Sequence, residues 1–258
     1  MSKETGTFIL MYHKIVDTPT ANLHALSGEQ FREQVRYLAR SGYPVLAWTQ
    51  MAQSAARFAD RPCVGITFDD GFKSDLDSAR FLHEHGMTAL FFVSSANIGQ
   101  PGYLTGDDVR ELHHLGMGVG SHSHHHVRLT TLDEPAAEHE LHTSRAVLEA
   151  LIGEPVEHMS FPGGAYNARL LEIARRAGFR YLYTSDWGIN CSRQLTAGVL
   201  RRTGVLATSR LAQIEDLLGM RRYYARQIGF YGKEAIKKML GAQGFYRFRK
   251  TLLRLNGR

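Results

Sequence analysis

Two clusters of polar side chains could do chemistry together. The first is Thr67-Phe68-Asp69-Asp70-Gly71. Two adjacent carboxylates in a confined site do not both stay ionised unless a cation offsets them. A metal ion could bind one and leave the other to act as a base. A bare Asp-Asp-Gly is more often a solvated turn, but here the apolar run over residues 64–68 (VGITF) argues against exposing the whole motif. The second cluster is Gly120-Ser121-His122-Ser123-His124-His125-His126. Neutral imidazoles are common ligands of zinc and similar divalent ions. Two histidines with one carboxylate would hold such an ion and leave positions open for water and substrate. A His-rich loop can also bind metal incidentally, and on this motif alone both readings stay open.

Such groups act only if the fold carries them to one place. Short apolar runs alternate along the chain with segments of helical period. Residues 7–12 (TFILMY) read as a buried strand, and 29–41 as an amphipathic helix with Phe31, Val35 and Leu38 on one face, capped by Ser27 and stopped at Gly42. The pattern repeats with strands over 64–68, 88–93, 118–121, 158–161 and 181–184. Helices are expected over 75–85, 107–115 (capped by Thr105), 135–152 and 168–177. Strand–helix alternation predicts parallel strands with helices outside, in a barrel or an open sheet. Chemistry in such folds gathers at the carboxyl ends of the strands. His13, Asp69 and Asp70, His122, and Pro162–Gly164 each follow a predicted strand, so all converge on that rim.

Taken in order, TFDDG, then His122-Ser123-x-x-His126 about fifty residues later, then the Pro162-Gly163-Gly164 segment, resemble the polysaccharide deacetylases of carbohydrate esterase family four, the NodB-homology group. The resemblance covers roughly residues 7–205. It implies a distorted (β/α) barrel and removal of N-acetyl, sometimes O-acetyl, groups from sugars. By position Asp69 resembles the general base, and Asp70, His122 and His126 the metal ligands. The ion would be zinc, with cobalt or nickel also suited to the donor set. The Gly163 N–H resembles the donor to the oxyanion, with Tyr166 beside it in the same segment. The chain departs from the family pattern twice. Ser160 stands where many members have an Arg that orients the base, and the late strand ending in Leu-x-His, which supplies the general acid, is missing. Leu10-Met11-Tyr12-His13, an early apolar strand ending in Tyr-His, resembles the exopolysaccharide and poly-N-acetylglucosamine deacetylases, whose motif order is permuted. There His13 would protonate the leaving amine, although a histidine simply bonded within the barrel mouth is the other reading. Asp186-Trp187 resembles a weakened fourth motif, with Trp187 as a wall of the acetyl pocket or as an ordinary core residue.

Composition bounds the rest. A hydrophobic share of 43% over 258 residues can bury a large core. The first residues lead into only a short apolar stretch, so no secretory leader is expected and the chain reads as cytoplasmic. Cys63 and Cys191 read as free thiols in that setting. The net charge of +6 is uneven: residues 206–258 carry twelve Lys/Arg against three Asp/Glu, which leaves residues 1–205 acidic. We therefore divide the chain into a deacetylase barrel, 1–205, and a basic helical tail, 206–258, with helices expected over 209–224, 232–240 and 245–255. A basic amphipathic tail suits the anionic inner face of a membrane, or else packs on the barrel or a second copy. With no recognition motif beside the charge, nucleic acid is not an expected partner. The expected partner is an N-acetylated glycan, lipid-linked if the tail meets a membrane, in exopolysaccharide biosynthesis. Two alternatives compete: a deformylase of a formamido sugar using the same centre, and a catalytically impaired glycan-binding domain.

Overall fold

The computed structural model describes residues 6–18, 20–51 and 62–220, together with Gly229 and Gly232. β1 (Thr7–Tyr12) opens the chain, and a small parallel pair, β2 (Lys14–Val16) and β3 (Ala25–Ser27), leads into α1 (Gly28–Arg40). Strand then alternates with helix: β4 (Cys63–Phe68) and α2 (Ser74–Glu84), β5 (Leu90–Val93) and α3 (Gly106–His114), β6 (Gly118–Ser121) and α4 (Glu134–Ile152). β7 (His158–Ser160) and α5 (Ala168–Arg176), then β8 (Tyr181–Tyr183) and α6 (Ser192–Ala197), complete the alternation. β9 (Val199–Leu200), β10 (Thr203–Gly204) and α7 (Leu211–Leu218) follow.

Eight of these strands make one parallel sheet in the order β10-β1-β4-β5-β6-β7-β8-β9. β1 and β4 are buried at every residue, as parallel strands covered on both faces must be. The two edge strands are consecutive in the chain. β9 pairs with β8, β10 pairs with β1, and only Arg201-Arg202 lies between them. The sheet therefore curls until its edges meet at that link, giving the distorted (β/α) barrel the motifs implied. Asn190 stitches the same seam: its amide donates to the Thr7 and Arg201 carbonyls, and its Oδ1 accepts from the Arg201 N–H.

Inside, Ile9, Leu90, Phe92, Tyr183 and Leu200 pack together, and Trp48 and Met51 close one end. Gly118 makes room for that closure, since a Cβ there would lie 2.6 Å from the Trp48 ring. Helix starts follow the expected caps. Ser27 forms a capping box with Gln30, and Thr105 one with Asp108. The strand expected from residue 88 begins at Leu90. β2, β3, β9, β10 and α6 were not expected, being too short for a periodic pattern to register. Neither Cys63 nor Cys191 is joined in a disulfide.

By compactness the chain divides into Met1–Ile214 and Glu215–Arg258, a few residues beyond the boundary drawn from charge. α7 falls within the helix expected over 209–224. The remainder of that helix, and those expected over 232–240 and 245–255, lie outside the described residues apart from Gly232. Among the described residues no helix is long and apolar enough to cross a membrane.

The α3 cap supplies a test of local stability. Asp108 Oδ2 accepts from the Thr105 N–H and hydroxyl at 2.6 and 2.7 Å and pairs with Lys73 at 2.6 Å. Burial alone would raise the Asp108 carboxyl; Lys73 and Thr105 outweigh it and hold it below the usual range. Asp108→Ala should cost about 1–2 kcal/mol in urea unfolding at pH 7. A depressed carboxyl stabilises above its unfolded pKa of about 4 and loses that contribution as the pH falls through its folded value. The gap between wild type and variant should therefore close in acid.

Candidate active site

The strand ends place the sequence motifs around one cavity of about 440 Å³. Asp69 follows β4 and is almost fully buried, with its N–H bonded to the Tyr12 carbonyl at the end of β1. Its carboxylate meets Arg202 from the β9–β10 link, Nη1 to Oδ1 at 2.6 Å and Nη2 to Oδ2 at 2.8 Å. Ser160 Oγ donates to Asp69 Oδ2 at 3.2 Å and accepts from Arg202 Nη2 at 2.6 Å. Arg202 also donates from Nε to the Thr184 carbonyl and from Nη1 to Thr67 Oγ1, and its guanidinium lies over the Phe92 ring. All five guanidinium N–H groups thus have an acceptor. Burial alone would raise the Asp69 carboxyl; the charge and bonds of Arg202, helped by His122 and His13, outweigh it and keep the pKa below the ordinary value. The group that orients Asp69 therefore comes from the end of the chain's last strands and not from the third motif. Sequence reasoning missed it. Its one signal was Leu200-Arg201-Arg202, a Leu-x-Arg at the late strand where the family pattern has Leu-x-His.

Asp70, His122 and His126 form the cluster expected of metal ligands, with one donor atom from each lying within 4.8 Å of the others. Asp70 Oδ1 is 3.3 Å from His122 Nε2 and 3.1 Å from His126 Nε2. The ring of His122 is oriented by a 2.9 Å contact between its Nδ1 and the Ser160 carbonyl. A carbonyl only accepts, so Nδ1 carries a proton and Nε2 is the atom turned toward the Asp70 carboxylate. One carboxylate and two imidazoles facing one another fit a divalent ion of the zinc type. Burial would raise the Asp70 carboxyl, but its bonds to the two imidazoles reverse this and hold it far below the usual range. The bond to Asp70 in turn raises His126. Asp70 and His126 both adopt left-handed backbone angles, φ 82° and 56°, unusual for non-glycine residues and a form of strain found at functional sites.

His13 lines the same cavity as Asp69, Asp70, His122 and His126, and its Nδ1 has no hydrogen-bond partner among the described residues. Burial draws its pKa down while Asp69 and Asp70 pull it up, with a net lowering. Gly163 and Gly164 form part of the wall. In that turn Gly164 and Ala165 donate to the Phe161 and Pro162 carbonyls, and Gly163, at φ 62°, keeps its N–H out of those bonds. Tyr166 and Trp187 are not among the lining residues. The Tyr166 hydroxyl instead donates to Asp186 at 2.6 Å, and Trp187 is half-buried. Of the other histidines in the motif, His124 meets Ser95 and His125 meets Glu140.

A family model for polysaccharide deacetylases matches residues 57–182, a span that includes Asp69, Asp70, His122, His126 and Gly163. Over those residues the chain is similar to the polysaccharide deacetylase family. It is 27% identical over 183 residues to the Bacillus subtilis protein YxkH, whose name places it among these deacetylases, covering 70% of this chain and 64% of the relative. A chitooligosaccharide deacetylase of Azorhizobium caulinodans is 26% identical over 144 residues, 53% of this chain and 67% of that protein. The matches thus span about two thirds of the length of these curated relatives. Among solved structures, the Streptococcus pyogenes deacetylase PplD in complex with acetate shares the fold, with a TM-score of 0.76 at 22% identity over 84% of this chain and 99% of that one.

Removing one partner of a buried ion pair strands the other charge. Arg202→Met should therefore destabilise the metal-free protein by about 3–5 kcal/mol in denaturant unfolding. Adding Asp69→Asn should restore part of that loss, because no charge is then left unpaired. Strictly additive effects would show that the pair is not coupled.

Proposed function

We propose that this protein is a metal-dependent deacetylase that hydrolyses N-acetyl groups, and in some substrates O-acetyl groups, of a glycan. One observation carries the reading: an ionised base held by Arg202 shares a cavity with a ready Asp-His-His donor set. Asp70, His122 and His126 would hold a divalent ion, zinc by the chemistry of the donors. Such an ion supplies Lewis acidity toward the acyl carbonyl and the attacking water. Asp69 takes the proton of that water. Arg202 and Ser160 fix its carboxylate and keep it unprotonated at neutral pH. The Gly163 N–H is the preorganised donor for the oxyanion of the tetrahedral species. His13, on the same cavity wall, delivers a proton to the departing amine. The cavity has room for a sugar carrying its acyl group.

The reading as an impaired glycan-binding domain rested on Ser160 and on the missing late histidine. Arg202 supplies the guanidinium that the third motif lacks, and His13 brings an imidazole to the cavity, which supports the catalytic reading over that one. Deformylation would use the same groups and is separated by product. For the substrate we favour an N-acetylated oligo- or polysaccharide of the exopolysaccharide type. The net positive charge of residues 206–258 supports a lipid-linked form met at the inner face of a membrane.

Four measurements test this. Protein loaded with zinc should release acetate, not formate, from N-acetylated oligosaccharides and lose activity to a chelator. Asp69→Asn should keep its zinc while losing at least about a hundredfold in rate, the range of a general base. His13→Ala should lose turnover on the amide yet hydrolyse an activated aryl acetate at close to the wild-type rate, since that leaving group needs no proton. Equal losses on both substrates would remove His13 as the acid. The full chain should also bind anionic vesicles at low salt and release them as salt rises, and failure to bind would end the membrane proposal.

A further inference from the structure

The three candidate ligands are not held alike. His122 follows directly on β6, is buried, and is fixed through both its backbone N–H and its Nδ1. His126 lies four residues further along a loop, with its side chain 42% exposed and bonded to Asp70. Its position must therefore come from the backbone of residues 123–126. That backbone is strained, with Ser123 at φ 60° and His126 at φ 56°. A left-handed non-glycine residue costs about 1–2 kcal/mol, so something must hold the loop there.

One side is tied to the segment after β5. Ser95 and Ala96 donate their N–H groups to the carbonyls of Ser123 and His124, and Ser95 Oγ meets His124 Nδ1 at 2.7 Å. The other side meets a single residue of α4. Glu140 Oε2 accepts the N–H of His124 at 3.0 Å and that of His125 at 2.8 Å, and Oε1 meets His125 Nδ1 at 2.6 Å. Glu140 is buried on the face of α4 that carries Ala137, Leu141 and Ser144, so the carboxylate stands on a rigid, packed element. Successive backbone N–H groups converging on one anion form a nest, a geometry that fixes loop conformation. Without the carboxylate these N–H groups would have to turn toward water, and the turn that delivers His126 would relax.

We propose that Glu140 is a positioning residue for the metal centre: by clamping the His124 and His125 N–H groups it holds His126 where it can share an ion with Asp70 and His122. The proposal rests on the metal-site reading above, and the experiment separates the two. Zinc affinity is measured by chelator competition on full-length protein stripped of metal. Visible spectra of the cobalt form report the coordination geometry. Glu140→Ala should weaken zinc binding by about 10–100-fold, the range for groups that orient ligands, and alter the cobalt spectrum. Glu140→Gln keeps an amide oxygen that can accept both N–H groups, so it should stay within about threefold of wild type. A role confined to packing would lower thermal stability in both variants without separating their affinities. Should the Ala variant fail to fold, Glu140→Asp, whose carboxylate falls short by one methylene, should show intermediate weakening. Zinc affinity unchanged in Glu140→Ala and Glu140→Asp, or lost equally in Glu140→Ala and Glu140→Gln, overturns the clamp and leaves the metal site standing. Wild-type protein that binds no zinc overturns the metal site itself.

Discussion

A carboxylate and a guanidinium buried together at the seam of a curled sheet set the terms for the rest of the molecule. Taking two charges out of water costs several kcal/mol per ion, and only close geometry with every remaining hydrogen-bonding group satisfied offsets it. The Arg202–Asp69 pair meets that condition: two parallel bonds join the charges, and the remaining guanidinium donors reach Thr184, Thr67 and Ser160. Those acceptors belong to different strands. Thr67 lies in β4, Ser160 in β7, and Thr184 directly follows β8. One side chain therefore ties three places on the rim to the link that joins β9 to β10. Sheet closure and base orientation are one constraint, and neither can be altered alone.

Ser160 shows how that constraint shapes the rest. A long cationic side chain at this position, as in many relatives of this pattern, would compete with Arg202 for the same carboxylate. A small hydroxyl leaves the space open and joins acid to base by donating to one and accepting from the other. The backbone carbonyl of the same residue fixes the tautomer of His122. A single residue at the end of β7 thus sets the orientation of both the base and a ligand, one through its side chain and one through its main chain.

Much of this was legible in the sequence because it is local. An apolar run ending in two carboxylates, a Ser or Thr three residues ahead of a capping partner, and a glycine after an amphipathic segment each report on neighbours a few residues away. Asp69, Asp70, His122 and His126 were singled out that way, His13 and Gly163 by the rule that strand ends gather chemistry, and the structure brings all six to one cavity. Arg202 was missed for the opposite reason. Its strands are two residues long, and its partner is 133 residues away in sequence, so no periodic pattern marks it. Tyr166 and Trp187 were drawn to the pocket by motif position alone. In the structure the Tyr166 hydroxyl is taken by Asp186, and Trp187 is absent from the cavity wall.

Three acidic residues near one another, Asp69, Asp70 and Asp75, show how burial becomes a choice of charge state. Burial pushes all three toward the neutral acid. Asp69 has an arginine against it and Asp70 has two imidazoles, so both are held ionised. Asp75, fully buried in the first turn of α2, has no cationic partner among the described residues. Burial first, then the charges of Asp70 and Asp69, drive its carboxyl well above the ordinary range. Burial and the two neighbouring carboxylates thus act in the same direction on Asp75, toward the neutral acid. The two carboxylates that line the cavity have distinct partners: one is locked to a permanent cation, the other faces imidazoles with which it could share a metal ion. That difference in partner, more than any difference between the two side chains, separates a base from a ligand at adjacent positions.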